Sequence, residues 1–186
     1  GLPKNKVIGM AGILDSSRFI YFLSQELKVP VNNIKSLVLG GHGDSMVAMI
    51  NHTEINGKKI SEVVKEGEIT QARLDEIIDR TKKGGAEIVK YLEKGSAFYA
   101  PAASGVEMAE SYLNNLQKEL PCAAYLNGEY GVKDLYVGVP VIIGSKGVEK
   151  VIEIDLSELE KKQLDSSINA VKDLFDAAKK IDPELL

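Results

Sequence analysis

Three side chains near the start of the chain, Asp15, Arg18 and His42, are of the types that proton transfer on a small anion requires. A histidine gives and takes a proton near neutral pH, and a neighbouring carboxylate orients its ring and stabilises its protonated form. A planar guanidinium holds a carboxylate through two parallel hydrogen bonds. Together the three predict a site that binds a small anion and moves a proton on it.

Each of these residues also has a plainer interpretation. Asp15 suits the N-cap of a helix, Arg18 suits a surface position, and His42 suits a glycine-rich turn in which the backbone bends sharply and leaves the ring unhindered. Asp15 and Arg18 gain weight as a pair, because residues three apart share one face of a helix. The second histidine, His52, is expected to be solvated.

Two other kinds of site are conceivable for the same loop, a nucleotide site and a metal site. Gly41–Met46 begins like the dinucleotide fingerprint Gly-x-Gly-x-x-Gly, but Met46 replaces the last glycine and an apolar, strand-like run follows. The fingerprint needs a helix N-terminus there to receive a pyrophosphate, so we expect no nucleotide binding by this loop. His42, Asp44 and His52 match no standard ligand spacing, so no metal site is expected.

Composition narrows the class of protein. A chain of 186 residues, with 44% hydrophobic and 27% charged residues, is long enough for one hydrophobic core. A net charge of −4 argues against a nucleic-acid partner, and no apolar run reaches the roughly 20 residues that span a membrane. The single cysteine, Cys122, opens an apolar run and is expected to be a buried strand thiol, which fits a reducing cytoplasm.

Periodicity predicts one α+β domain over residues 1–186, with a mostly antiparallel sheet packed by long helices. Gly85 falls on the buried stripe of its helix, where we expect close approach of another backbone, and Pro140 predicts an edge or bulged strand. In the first half of the chain we expect a helix over 16–28 capped by Asp15 or Ser16, strands at 36–39 and 45–50, and a hairpin turn at Asn56-Gly57. A long helix over 70–92 and a helix from Pro101 to about Lys118 follow. The chain then continues with strands over 122–154 and a last helix that runs from the capping box at Ser157 to a point before Pro183.

The first helix predicts a partner. Its centre, Phe19–Leu23, is apolar nearly all the way round, so every side needs cover. In a chain of this size a second subunit is the expected cover, and residues 16–28 therefore predict a homo-oligomer.

Three motifs, Leu14–Arg18, Gly41–Ser45 and Gly95–Ala102, resemble in order those of the carboxy-terminal half of the malate and lactate dehydrogenase family, with the lactate-dehydrogenase-like malate dehydrogenases of bacteria nearest. The resemblance implies that His42 exchanges the proton of the substrate hydroxyl on the nicotinamide side of NAD. It implies that Asp15 orients His42 and that Arg18 holds the substrate carboxylate. By the same resemblance Ser96 and Ala97 lie near substrate and nicotinamide.

What the resemblance implies for function is an NAD-dependent oxidoreductase of the tricarboxylic acid cycle that interconverts malate and oxaloacetate. The family's amino-terminal dinucleotide-binding domain and its substrate-selecting loop have no counterpart in this sequence. The chain alone is therefore expected to be inactive. Two alternatives stay open: the catalytic domain of an L-lactate or other 2-hydroxy-acid dehydrogenase, and a non-catalytic oligomerisation module.

Overall fold

The computed structural model describes residues 1–182. Six α-helices lie in this range: α1 (Gly12–Leu27), α2 (Ile60–Lys65), α3 (Gln71–Lys82), α4 (Gly84–Leu92), α5 (Tyr99–Leu113) and α6 (Glu158–Ile181). The strands of the same range are β1 (Gly9–Met10), β2 (Ile34–Lys35), β3 (Val38–Gly40), β4 (Met46–Ala48), β5 (Glu54–Ile55), β6 (Lys58–Lys59), β7 (Lys118–Asn127), β8 (Lys133–Gly144) and β9 (Gly147–Val151). Short 3₁₀ turns connect several of them. No helix of residues 1–182 is long and apolar enough to cross a membrane.

The strands form two antiparallel sheets within the described range. The larger sheet has the order β1-β7-β8-β3-β4, with β9 also paired to β8, and the smaller one has the order β2-β5-β6. The long β7–β8 hairpin is the backbone of the larger sheet, running in register from Lys118 opposite Ile143 to Leu126 opposite Leu135. The predicted α+β fold, with an antiparallel sheet packed by helices, is confirmed.

Helix α1 lies between two hydrophobic clusters. Its first turn places Ile13 in the cluster formed by β7, β8 and α6. Farther along, Phe19 and Leu23 are fully buried in the second cluster, which includes residues of β2, β4 and α3. The apolar centre of α1 is not covered on every side, since Tyr21 is 52% exposed.

The start of α1 corrects one expectation. The helix begins at Gly12 rather than Ser16, and Ala11 occupies the N-cap, so Asp15 is not a cap but part of the first turn. The extra turn forms because Gly12–Leu14 is buried against the sheet, where a Cβ at Gly12 would overlap the Val38 carbonyl oxygen. Ser16 is also not a cap, because its hydroxyl accepts the Val38 N–H at 2.9 Å.

The long helix expected over 70–92 is two helices, α3 and α4, separated at Lys83 (φ −87°, ψ 1°). Gly84, rather than Gly85, is the buried glycine at this break. A Cβ at Gly84 would lie 3.1 Å from Cδ of Arg18, so the close neighbour is a side chain and not a backbone. The expectation for Gly85 is therefore wrong in both position and partner.

Of the two alternatives for Pro140, an edge strand or a bulged one, the structure shows the second. Strand β8 lies inside the sheet, and its pairing with β9 has a register shift between Ile142 and Ile143. Pro140 lies opposite Pro121 of β7, and its carbonyl accepts the Ile152 N–H at 2.8 Å on the other side. The strand tolerates proline because Pro140 falls between the pairing of Gly138 with β3 and the start of pairing with β9 at Val141. The missing N–H therefore interrupts no ladder.

Several local predictions are confirmed. Asn56 and Gly57 have φ of 52° and 80° in the turn between β5 and β6. Cys122 is fully buried in β7, and burial raises the pKa of its thiol to about 12. The capping box of Ser157 with Glu160 starts α6, which ends at Ile181 before Pro183. Helix α5 ends at Leu113, earlier than expected, because β7 begins at Lys118.

Candidate active site

The His42 loop joins two paired strands of the larger sheet. Strand β3 ends at Gly40, a 3₁₀ turn covers Gly43–Ser45, and β4 returns antiparallel to β3. Gly40 and Gly43 have φ of +84° and +78°, which L side chains rarely adopt, so the two glycines allow the sharp reversal. His42 itself is extended (φ −77°, ψ 145°), and 49% of its side chain is exposed at the surface.

Asp15 and His42 are in direct contact. Nδ1 of His42 lies 2.8 Å from Oδ2 of Asp15, whose side chain is only 1% exposed. An ionised carboxylate only accepts hydrogen bonds, so the Nδ1–H of His42 donates to it and Nε2 is left to exchange a proton. The hydrogen bond to Asp15 raises the pKa of His42 above its ordinary 6.5, while partial burial and the charge of Arg18 oppose the rise.

Arg18 completes the group from the next turn of α1. Its Nη1 lies 3.7 Å from Oδ1 of Asp15, an ion pair beyond hydrogen-bond distance, and its side chain is 10% exposed. Nε of Arg18 and Oδ1 of Asp15 are buried and have no hydrogen-bond partner among residues 1–182. A buried unpaired donor costs about 1–3 kcal/mol, and an anion that accepts from Nε of Arg18 would satisfy it, whereas Oδ1 of Asp15 is itself an acceptor.

Ser96 and Ala97 lie apart from this trio in sequence and in secondary structure. They are in the loop between α4 and α5, where Ser96 is exposed and Ala97 is partly exposed. In the part of the chain that the structure describes, no hydrogen bond links either residue to Asp15, Arg18 or His42. Their proximity to substrate and nicotinamide stays a prediction.

The local structure fits only part of an NAD site. His42 presents a half-exposed ring that a nicotinamide and a small substrate can approach. The Gly41–Met46 segment continues into a three-residue 3₁₀ turn and strand β4 instead of a helix, so it offers no helix N-terminus to a pyrophosphate. Among residues 1–182, no group of three or more His, Cys, Asp or Glu side chains could hold a metal ion.

Beside the loop, a groove of about 600 Å³ runs between α3 and α6. Asp44 and Ser45 form part of its wall, but Asp15, Arg18 and His42 do not. The candidate site is therefore defined by the converging side chains and not by this groove.

Two neighbours of the trio were missed by sequence reasoning. Gly84 packs against the aliphatic stem of Arg18, and the Gly-Gly pair inside a helical pattern was a usable signal, although it pointed to the wrong glycine. Ser167 of α6 accepts the Gly41 N–H, and it lies 126 residues away in sequence. The only sequence signal for Ser167 was that a small polar residue interrupts the apolar face of the predicted last helix.

Comparison with known proteins decides the family. The model of the lactate/malate dehydrogenase, alpha/beta C-terminal domain matches residues 13–181. The chain belongs to this family. It is 65% identical over 185 residues to a malate dehydrogenase of Pelagibacter ubique (strain HTCC1062), and the match covers 100% of the chain and 58% of that protein.

Solved structures of the family superimpose closely on the chain. The malate dehydrogenase of Cryptosporidium parvum is 45% identical, with a TM-score of 0.94 over 97% of this chain and 57% of that one. A lactate dehydrogenase of the same organism, in complex with lactic acid and nicotinamide adenine dinucleotide, is 45% identical, with a TM-score of 0.92 over 95% of this chain and 56% of that one. The chain thus spans less than two thirds of the length of these relatives.

Proposed function

We propose that this chain is the substrate-binding and catalytic part of an NAD-dependent malate dehydrogenase, which interconverts (S)-malate and oxaloacetate. The observation that carries the proposal is the 2.8 Å contact between Nδ1 of His42 and the buried carboxylate of Asp15, with Arg18 alongside. This contact leaves one imidazole nitrogen free at the surface, next to a cation suited to a carboxylate.

In this proposal His42 transfers the proton. With Asp15 accepting from Nδ1–H, Nε2 of the neutral ring takes the hydroxyl proton of malate as the carbinol C–H bond breaks. NAD, when bound, supplies the acceptor for the hydride. In the reverse direction the doubly protonated ring returns its Nε2 proton to the carbonyl oxygen of oxaloacetate. The hydrogen bond and negative charge of Asp15 favour that protonated ring and raise the pKa of His42.

Arg18 binds and orients the substrate in this proposal. Its guanidinium has an unpaired, buried Nε and only a long contact to Asp15, so donors remain for a substrate carboxylate. Two parallel charge-assisted hydrogen bonds would fix the plane of that carboxylate as well as hold it. By family resemblance we further propose that Ser96 and Ala97 contact substrate and nicotinamide.

Malate is preferred over lactate as the proposed substrate because a malate dehydrogenase is 65% identical over the whole chain. An L-lactate dehydrogenase domain is the second candidate, since a lactate dehydrogenase superimposes almost as well as a malate dehydrogenase at the same 45% identity. We also propose a homo-oligomer that covers α1, whose Tyr21 is 52% exposed, and a cytoplasmic location for the enzyme.

The proposal is tested by assaying the gene product that contains this chain for NAD-dependent oxidation of malate and of lactate. We expect NADH formation with malate at a higher kcat/KM than with lactate, and none from residues 1–186 alone. A preference for lactate would overturn the choice of substrate. If no 2-hydroxy acid is oxidised, the chain is not the catalytic part of a dehydrogenase, and light scattering then tests the oligomerisation module.

A further inference from the structure

The backbone just before His42 is fixed by helix α6. The N–H of Gly41 donates a hydrogen bond of 2.8 Å to Oγ of Ser167, a residue that is 3% exposed. Gly40 packs on the same serine so closely that a Cβ there would overlap its hydroxyl oxygen. With φ of +84° at Gly40, both backbone conformation and space require glycine at this contact.

Other residues also pack closely against the Gly40–Gly41 segment. A Cβ at Gly41 would overlap Oγ of Ser45, and a Cβ at Gly138 of β8 would overlap the Gly40 carbonyl oxygen. The loop is thus held between the sheet on one side and α6 on the other. Ser167 is the neighbour from α6 that adds a directional bond to packing.

The imidazole depends on this backbone contact because little else fixes it. Nearly half of the His42 side chain is exposed, and its one hydrogen bond among the described residues is that from Nδ1 to Asp15. The ring is therefore located by two anchors, α1 through Asp15 and α6 through Ser167. If the second anchor is lost, the loop can shift while Asp15 stays in place.

We propose that Ser167 is a positioning residue of this site: its hydroxyl fixes the Gly40–Gly41 backbone so that His42 meets Asp15 and presents Nε2 to the substrate. The catalytic part of this inference rests on the proposed function, whereas the structural part does not. Removing the hydroxyl would leave the Gly41 N–H without its acceptor and relax the alignment of the proton-transfer group. Small misalignments of reacting groups cost large factors in rate.

The first experiment measures the titration of His42 by NMR in the gene product that contains this chain. Its signal is identified by its loss in His42→Asn. In Ser167→Ala we expect a lower His42 pKa than in wild type, because the contact with Asp15 is populated less. Ser166→Ala is the matched control, since this exposed serine is adjacent on α6 and should leave the titration unchanged.

The second experiment measures malate oxidation. In Ser167→Ala we expect kcat to fall about tenfold or more, with little change in KM because Arg18 is untouched. Ser167→Thr keeps the acceptor oxygen and should restore both kcat and the His42 pKa. If the alanine variant does not fold, Ser167→Cys replaces it, because a thiol fills similar space but accepts a hydrogen bond poorly.

A folded Ser167→Ala or Ser167→Cys protein whose His42 titration matches that of wild type would overturn the proposal. So would a Ser166→Ala variant that changes the titration equally. If the wild-type gene product shows no dehydrogenase activity, the proposed function fails, and the NMR comparison still decides whether Ser167 positions the ring.

Discussion

The two histidines of the chain occupy loops that both touch α6, yet their rings meet different kinds of partner. Nδ1 of His42 bonds to the buried carboxylate of Asp15 at 2.8 Å. Nε2 of His52 lies 2.6 Å from the backbone carbonyl oxygen of Asp155. A carbonyl oxygen only accepts, so His52 donates from Nε2 to an uncharged partner.

This difference supports the acid–base role that we propose for His42. The carboxylate stabilises the protonated ring of His42 and raises its pKa, and the opposite nitrogen stays free for a substrate. At His52 the bond to a main-chain oxygen ties a loop to the segment before α6. The partner of the ring, more than its place on the surface, distinguishes the proposed acid–base histidine, His42, from His52.

The largest effect is expected from exchanging each histidine for asparagine. His42→Asn should lower kcat for malate oxidation roughly 100- to 10,000-fold, because the proton acceptor is lost, while NADH binding is retained. His52→Asn should leave kcat near the wild-type value. Steady-state kinetics of the gene product, with NADH titrations, measure both. Equal losses in the two variants would contradict the distinction.

Asp15→Asn tests the partner itself. An amide can donate to Nδ1 and so place the remaining proton on Nε2, which is the wrong tautomer for accepting from malate, and we expect kcat to fall about 100-fold. Asp44→Asn, a change of the same type at an exposed position of the loop, is the control.

The pH dependence of Asp15→Asn gives a second measurement. Oxidation of malate needs the neutral ring, so its kcat/KM rises with pH through the His42 pKa, and reduction of oxaloacetate falls through the same pKa. Asp15 raises that pKa above 6.5, so both inflections should move to lower pH in the variant. Inflections that stay in place would show that Asp15 does not set the His42 pKa.

Arg18→Lys tests the binding of the substrate carboxylate separately from proton transfer by His42. A point charge cannot replace the two-pronged guanidinium, so kcat/KM should fall about 10- to 100-fold, while the His42 titration stays above 6.5. Arg80→Lys is the control, because Arg80 pairs with Glu87 on an exposed surface. An unchanged kcat/KM in Arg18→Lys would remove the proposed carboxylate contact.

Gly84→Ala should give the smallest effect. A Cβ there lies 3.1 Å from Cδ of Arg18, so the side chain must shift by a few tenths of an ångström, and we expect KM for malate to rise about two- to fivefold. At Gly85 the nearest atom of Arg18 is 4.0 Å away, so Gly85→Ala should leave KM unchanged. Both glycines begin α4, and thermal unfolding measures how each substitution changes the stability of the fold.

Sequence reasoning succeeded where the determining contacts are short-range. The turn at Asn56-Gly57 and the capping box from Ser157 to Glu160 depend on residues within four positions of each other, and both formed as expected. The pairing of Asp15 with His42 spans 27 residues, and it was predicted from motif resemblance and not from periodicity.

Sequence reasoning failed where a contact with a distant residue overrides a local preference. Asp15 looks like a helix cap, but its carboxylate bonds to His42 and the buried segment from Gly12 extends the helix backwards. For Pro140 only the edge alternative failed, because β8 pairs with β3 before this position and with β9 after it, and the bulge lies two residues farther on. Ser167 interrupts the apolar face of α6, and only the folded chain brings its partner, Gly41, to it.

Helix α6 holds both histidine loops at once. Seven residues before Ser167, the carboxylate of Glu160 accepts the N–H and the side-chain amide of Asn51 at 3.0 and 2.9 Å. The two attachments are about 10 Å apart along the helix axis. If α6 opens locally, both loops lose their attachment together. We therefore expect the amides of Gly41 and Asn51 to exchange with solvent at a common free energy, as members of one cooperative unfolding unit.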